Sequence, residues 1–193
     1  MDAGETLDSS SVAPRRLLDI ELHCKDGVIM SSAHALGTNS VVFEKMLFSA
    51  VQMEESKTAI IRLDDVAVAD MHVLLCFCRF HRNYDLIAKV LLKEELFRII
   101  AIAHRYAFVN ALDVLCDRLY EIVNEPTSAE LQFADRLDLC SLLMKWSQCI
   151  AMPLYHRDFV IGLAEFPLSI QTTQLFANAN FDACVNRSLP QCM

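Results

Sequence analysis

Residues 19–34 read DIELHCKDGVIMSSAH, and the period of their side chains decides what kind of fold follows. Ile20, Leu22 and Cys24 alternate with Glu21 and His23, the two-residue repeat of a strand with one face buried. Asp26-Gly27 breaks the alternation as a hairpin turn does, and Val28, Ile29 and Met30 follow it. The chain therefore opens its ordered part with two short paired strands. His34 stands where the second strand gives way to small residues. A catalytic histidine needs a nucleophile or carboxylate set beside it, and the sequence places none there. His34 is expected instead to pack at a helix start with a ring nitrogen on the backbone.

A chain of 193 residues suits one domain, or one domain with a helical extension. Apolar residues make up 54% of it against only four Gly and five Pro, so most of the length is expected to be ordered and largely helical. The formal charge of -8 argues against a general nucleic-acid binder, which needs a clustered basic surface; Arg15-Arg16 is the densest basic doublet. Residues 1–16 are polar and serine-rich, without the basic start and apolar core of a secretion signal, and are expected to be a disordered tail. Apolar runs such as Ile99–Ala103 are far too short to cross a bilayer. A soluble protein of the cytoplasm, the nucleus or both is the expectation.

Of eight cysteines, only Cys76 and Cys78 lie close together, which is not the spacing of a zinc knuckle. Free, mostly buried thiols are expected, with no metal and no cofactor. The letters HRD at His156–Asp158 lack the glycine-rich loop, strand lysine and DFG of a kinase, and no Walker, HExxH or serine-elbow motif occurs. The chain is not expected to be an enzyme.

Further along, Ser40 is suited to cap a helix with Val42, Phe43, Met46 and Leu47 on its apolar side. Ala59–Leu63 reads as a third strand, and Asp65 as the cap of a helix burying Met71, Leu74, Leu75 and Cys78. His81-Arg82-Asn83 makes a polar break. Leu92, Leu96, Ile99, Ile100, Ala103 and Tyr106 then recur at helical spacing, Asn110–Asp113 resembles a capping box, and Thr127 with Glu130 forms a clearer one. The segment starting AHRYAF at Ala103 is echoed by ADRLDL at Ala134, 31 residues later, with Phe108 and Leu112 falling against Leu139 and Leu143. Both copies read as a helix, a short break and a second helix. Trp146 is expected to wedge between these helix pairs.

Three stretches, DIELHCKDGVIMSSAHALGTNSVVFEKML, MEESKTAIIRLDDVAVADMHVLLCFC and LFRIIAIAHRYAFVNALDVLCDRL, resemble the BTB (POZ) domain family in order and separation. Asp19 matches the Asp that opens the family's first strand, and Asp26-Gly27 its turn. His34, Leu36, Ser40 and Phe43 match its signature helices, Met53–Ser56 the segment before its third strand, and Asp65 the Asp before its third helix. The resemblance implies an α+β, mainly helical fold with a short three-stranded sheet. Its domain would span residues 17–123, with a helical extension over 124–193 packed on it and frayed at the end. His34 and Leu36 are two apart where the family spaces them by four, and Ala35 replaces a basic residue that pairs across the family's dimer with the Asp matched by Asp19. Asp19 and Ala35 are thus candidate dimer-interface residues of a weakened or altered homodimer.

What the resemblance implies about function is a protein-protein interaction adaptor, linking a target protein to a cullin-3 RING ubiquitin ligase. Carried over, its surface comprises Met46, Leu47, Met53, Phe80, His81, Asn83 and Tyr84, with Phe43 expected to be largely core. Aromatic and methionine side chains at such positions supply most of a binding hot spot. The alternative implied function is BTB self-association, or an inhibitory scaffold without ligase recruitment.

Overall fold

The computed structural model describes residues 19–49, 58–79, 83–150 and 168–174. The chain divides into two compact units, Met1–Arg79 and Phe80–Met193. The expected tail over 1–16, the HRD triplet and most of the segment after Pro153 lie outside the described residues.

In the first unit, strand β1 (Asp19–Cys24) pairs antiparallel with β2 (Gly27–Ser32), with Asp19 opposite Ser32 and Cys24 opposite Gly27. On its other side β1 pairs parallel with β3 (Ile60–Leu63), giving the order β2-β1-β3. Alternation does what the sequence promised: Ile20, Leu22, Ile29, Ser31, Ile61 and Leu63 are buried, while Asp19, Val28, Met30 and Arg62 are exposed.

The hairpin turn itself is Lys25-Asp26, and Gly27 already belongs to β2 without a positive φ. Glycine fits closely there: a Cβ would lie 3.1 Å from Val68 Cγ2, so that side chain would have to give by a few tenths of an ångström. Beside it, the Lys25 amide donates to Val66 O at 3.0 Å and the Val68 amide donates to Asp26 Oδ1 at 2.7 Å. The turn therefore docks on the start of helix α3 (Val68–Arg79), which buries Met71, Leu74, Leu75, Phe77 and Cys78. This corrects the expected cap at Asp65, which lies three residues before that helix. The capping carboxylate comes from a turn 42 residues away in sequence.

Helices α1 (Ala33–Asn39) and α2 (Val41–Phe48) connect β2 to β3. Ser40 serves both: its amide donates to Leu36 O at 2.9 Å, and its hydroxyl accepts from Phe43 N at 3.1 Å. The start of α1 is capped by Ser32, whose hydroxyl accepts from Ala35 N at 3.4 Å. Ala33, Leu36 and Gly37 form the buried stripe of α1, so His34, one residue off that stripe, is exposed. The expectation of a packed His34 is thereby corrected; the packing at this helix start is carried by Ala33 and the Ser32 cap.

The second unit contains α4 (Tyr84–Lys89), α5 (Lys93–Arg105), α6 (Val109–Ile122), α7 (Ser128–Arg136) and α8 (Cys140–Ile150), with a helical turn at 170–174. The 31-residue echo is a repeat in backbone geometry. After α5, Ala107 takes φ 51°, Ala107 N donates to His104 O, and Phe108 N donates to Ala103 O at 2.8 Å. After α7, Asp138 takes φ 51°, Asp138 N donates to Asp135 O, and Leu139 N donates to Ala134 O at 2.9 Å. These paired bonds satisfy carbonyls that a helix end leaves orphaned, through one left-handed residue. The corner also sets where the next helix begins. Phe108 occupies the cap position of α6, so Asn110 is an exposed residue inside the first turn rather than the start of a capping box.

Each pair also begins alike. Glu130 Oε2 accepts the Thr127 amide at 2.6 Å, and Glu95 Oε2 accepts the Leu92 amide at 2.8 Å. Leu92 is consequently a helix-start residue, 65% exposed, and not part of the buried stripe expected of it. Glu130 is buried and additionally ion-pairs with Lys93. Trp146 is fully buried, and its indole N–H donates to Val123 O at 2.9 Å, which ties α8 to the end of α6. Asp135 on α7 accepts the Ser169 amide at 2.9 Å and the hydroxyls of Ser169 and Thr172, fastening the turn at 170–174.

Two substitutions should move stability in opposite directions. Trp146→Ala is expected to cost about 3–5 kcal/mol, because a packed ring and the bond to Val123 are lost together. Ala107→Gly is expected to gain about 0.5–1 kcal/mol, since alanine pays for the left-handed region that glycine enters freely. Urea unfolding of both variants checks the pair.

Candidate protein-interaction site

The two groups of residues that the sequence points to lie in different units, and each is built by its own local rule. On α2, Phe43 is the buried knob, while Met46 and Leu47 are half-buried at its flanks. Val41, Glu44, Lys45 and Phe48 are exposed, at the three- and four-residue spacing of one helix face. Val41 at 45% and Phe48 at 47% exposure are the apolar members of that face. They were not singled out from the sequence, although the helical period opposite Phe43 points to them.

Phe48 is held by Gly37. A Cβ on Gly37 would lie 2.5 Å from Phe48 Cε2 and 3.0 Å from Cδ2, so the ring lies across the bare backbone of α1. Gly37 is thus a buried helical residue that lets an aromatic ring rest on α1.

On α4, Asn83 occupies the cap position and is exposed, its carbonyl accepting the Leu86 and Ile87 amides at 3.1 Å. Tyr84 is half-buried, Ala88 is buried, and Leu86 and Val90 are 62% and 77% exposed. Beside α4 runs a cleft of about 210 Å³ lined by Asp85, Ala88 and Lys89 with Val114, Asp117, Arg118 and Glu121 of α6. Arg118 donates to Glu121 Oε2 at 2.9 Å and to Lys89 O at 3.4 Å, while Lys145 ion-pairs with Asp117. Of the charges lining this cleft, Arg118 and Glu121 pair with each other, and Asp117 pairs with Lys145, which is not among the lining residues. Met53, Phe80 and His81 lie outside the described residues.

The candidate dimer residues belong to the first unit. Asp19 is exposed at the start of β1, in register with Ser32, and Ala35 is half-buried in the first turn of α1.

Among the described residues no group of three or more His, Cys, Asp or Glu is placed to hold a metal ion, and no helix is long and apolar enough to cross a membrane. The described cysteines are free, but "mostly buried" needs correction: Cys78 and Cys116 are buried, Cys24 and Cys76 half-buried and Cys140 exposed. Burial pushes the Cys78 and Cys116 thiols up to about 12. The exposed Cys140 donates to Asp138 Oδ1 at 3.1 Å, and that bond, with slight burial, raises it too.

The sequence profile of the BTB/POZ domain matches residues 10–122, more than half of the chain. No curated protein matches it.

Gly37→Ala should displace the Phe48 ring while leaving stability within about 1 kcal/mol, because the helix preference of alanine over glycine, about 1 kcal/mol, offsets the lost ring contact. Shifted Phe48 ring resonances with an unchanged unfolding midpoint would verify this. For the thiols, raised values mean protonated, unreactive sulfur. Iodoacetamide at about pH 8 is expected to spare Cys78 and Cys116 in the folded chain and to label both after denaturation, as read by mass spectrometry.

Proposed function

Since the chain belongs to the BTB/POZ domain family, a family of non-catalytic interaction scaffolds, we propose that this protein-binding module is an adaptor linking a target protein to a cullin-3 RING ubiquitin ligase. In this reading residues 17–123 form the interaction domain and 124–193 its helical extension, and the protein works in the cytoplasm, the nucleus or both. The observation that carries the reading is the exposed apolar edge of α2. Phe48 and Val41 stand in solvent beside the half-buried Met46 and Leu47, on the helix that the family resemblance assigns to the ligase contact. A half-exposed aromatic seated on a rigid backbone loses little freedom on binding, which is the economy of a hot-spot anchor. The family resemblance assigns the same partner polar and aromatic contacts at Asn83 and Tyr84, and contacts at Met53, Phe80 and His81, which lie outside the described residues.

A second reading, BTB self-association without ligase recruitment, is favoured by a different observation: Val28 and Met30 are 56% and 52% exposed on a strand at the edge of the sheet.

Calorimetric titration of the full chain with the cullin-3 amino-terminal region is expected to give saturable binding. Phe48→Ala should weaken it by about 30-fold, the equivalent of a hot spot worth about 2 kcal/mol, and His81→Ala, Asn83→Ala and Tyr84→Ala should weaken it less. No heat of binding into the high micromolar range would reject recruitment.

A further inference from the structure

The helical turn at 170–174 meets α7 through one carboxylate. Asp135 accepts the Ser169 amide at 2.9 Å, the Ser169 hydroxyl at 2.6 Å and the Thr172 hydroxyl. Among the described residues, the hydrogen bonds that tie this turn to the rest of the second unit all end on Asp135. The others, from Ser169 Oγ to the amide and hydroxyl of Thr172 and from Thr173 N to Ser169 O, close within the turn. Partial burial pushes the Asp135 carboxyl up, but the bonds from Ser169 and Thr172 together outweigh it and hold the group below its usual range, so it is ionised at neutral pH. The two hydroxyls differ in access. Thr172 is buried at 4% exposure, out of reach of a modifying enzyme, whereas Ser169 is exposed.

We propose that Ser169 is a phosphorylation site and that a phosphate there releases the turn from α7. The modifying partner is a protein kinase, with a nucleoside triphosphate as donor. Ser169 Oγ forms the new bond to the γ-phosphorus, and the bond from that phosphorus to the β,γ-bridging oxygen breaks. The nucleoside diphosphate leaves with the electron pair, and the hydroxyl proton passes to the enzyme's base. Two things then change at Asp135. The ester oxygen has no proton to donate, so the bond from Ser169 Oγ is lost. In its place a group of roughly -1.5 to -2 charge stands beside a carboxylate. A phosphate at the start of a helix is otherwise favourable, but a helix end offers only about +0.5 of a charge, which a full carboxylate charge at the same place outweighs. Arg136, the neighbouring cation, is engaged with α7 itself, its Nε donating to Gln132 O at 3.3 Å. Because the Ser169 hydroxyl is held in the closed turn, the kinase takes the opened segment, and the phosphate keeps it from closing again. The inference concerns the helical extension and is independent of cullin-3 recruitment.

Full chain recovered from eukaryotic cells treated with a phosphatase inhibitor should carry phosphate on Ser169 by mass spectrometry, at higher occupancy in Asp135→Ala, where the hydroxyl is no longer held. Hydrogen exchange reads the release. With phosphoserine installed at 169 during translation, the amides of 169–174 should exchange about tenfold faster or more than in the unmodified chain, while those of α5 and α6 keep their rates. Ser169→Ala removes the hydroxyl without adding charge and keeps the other two bonds to Asp135, so it should fall well short of that. In Asp135→Asn the repulsion is gone, and a phosphate at 169 should change the exchange by less than about threefold. Absence of phosphate on Ser169 in both recovered chains would overturn the proposal. So would an acceleration no larger than that of Ser169→Ala, one equally large in Asp135→Asn, or slower exchange, the outcome of Arg136 capturing the phosphate.

Discussion

The carboxylate of Asp26 on the amide of Val68 is the contact on which the first unit turns. It joins the tip of the first hairpin to the start of the longest described helix of that unit, with a second bond from Lys25 to Val66 and a close fit of Gly27 against Val68. A charged cap of this kind satisfies an otherwise orphaned donor and opposes the positive end of the helix, and losing one costs about 1 kcal/mol. Its larger effect is geometric. β1 is the middle strand, paired on both sides, so fixing its turn also fixes the register at which β3 arrives and the angle at which α3 leaves.

In the second unit, backbone closure does comparable work. Two left-handed residues, Ala107 and Asp138, end α5 and α7 in the same way, and each places a buried apolar residue, Phe108 or Leu139, immediately after the corner. Trp146 then fills the space behind Val123. The cost of a left-handed alanine, about 1–2 kcal/mol, is small beside that burial.

How legible this was from the sequence depended on whether a feature is local. Two-residue alternation located β1, the Asp-Gly break located β2 beside it, and Ser40 and Thr127 were readable caps because each bonds within three residues. Asp65 was a false cap because the true one is remote in sequence. The corners at Ala107 and Asp138 were visible as an echo but not as left-handed turns, since neither carries the glycine that marks them. His34 was misread because the short α1 turns it off the buried stripe. If two residues are missing between His34 and Leu36, the helix phase before the gap rotates by roughly 200°, at 3.6 residues per turn, which carries a buried position to the solvent side. The candidate site was legible as a helix, α2, but not residue by residue. Phe48 is presented through Gly37, a contact between helices that no spacing rule encodes.

The two helix pairs differ in one respect that constrains how such a chain can vary. Their corners repeat at 31 residues, whereas their acidic starts, Glu95 and Glu130, lie 35 apart. The first helix of the second pair is thus four residues shorter, close to one turn of 3.6 residues. Removing a whole turn moves the buried stripe by only about 40°, while removing one or two residues would swing it by roughly 100° or 200°. Length in these helices is therefore quantised: natural drift can add or delete turns, but a single-residue insertion between the acidic start and the corner would point the stripe at water and forfeit the pair.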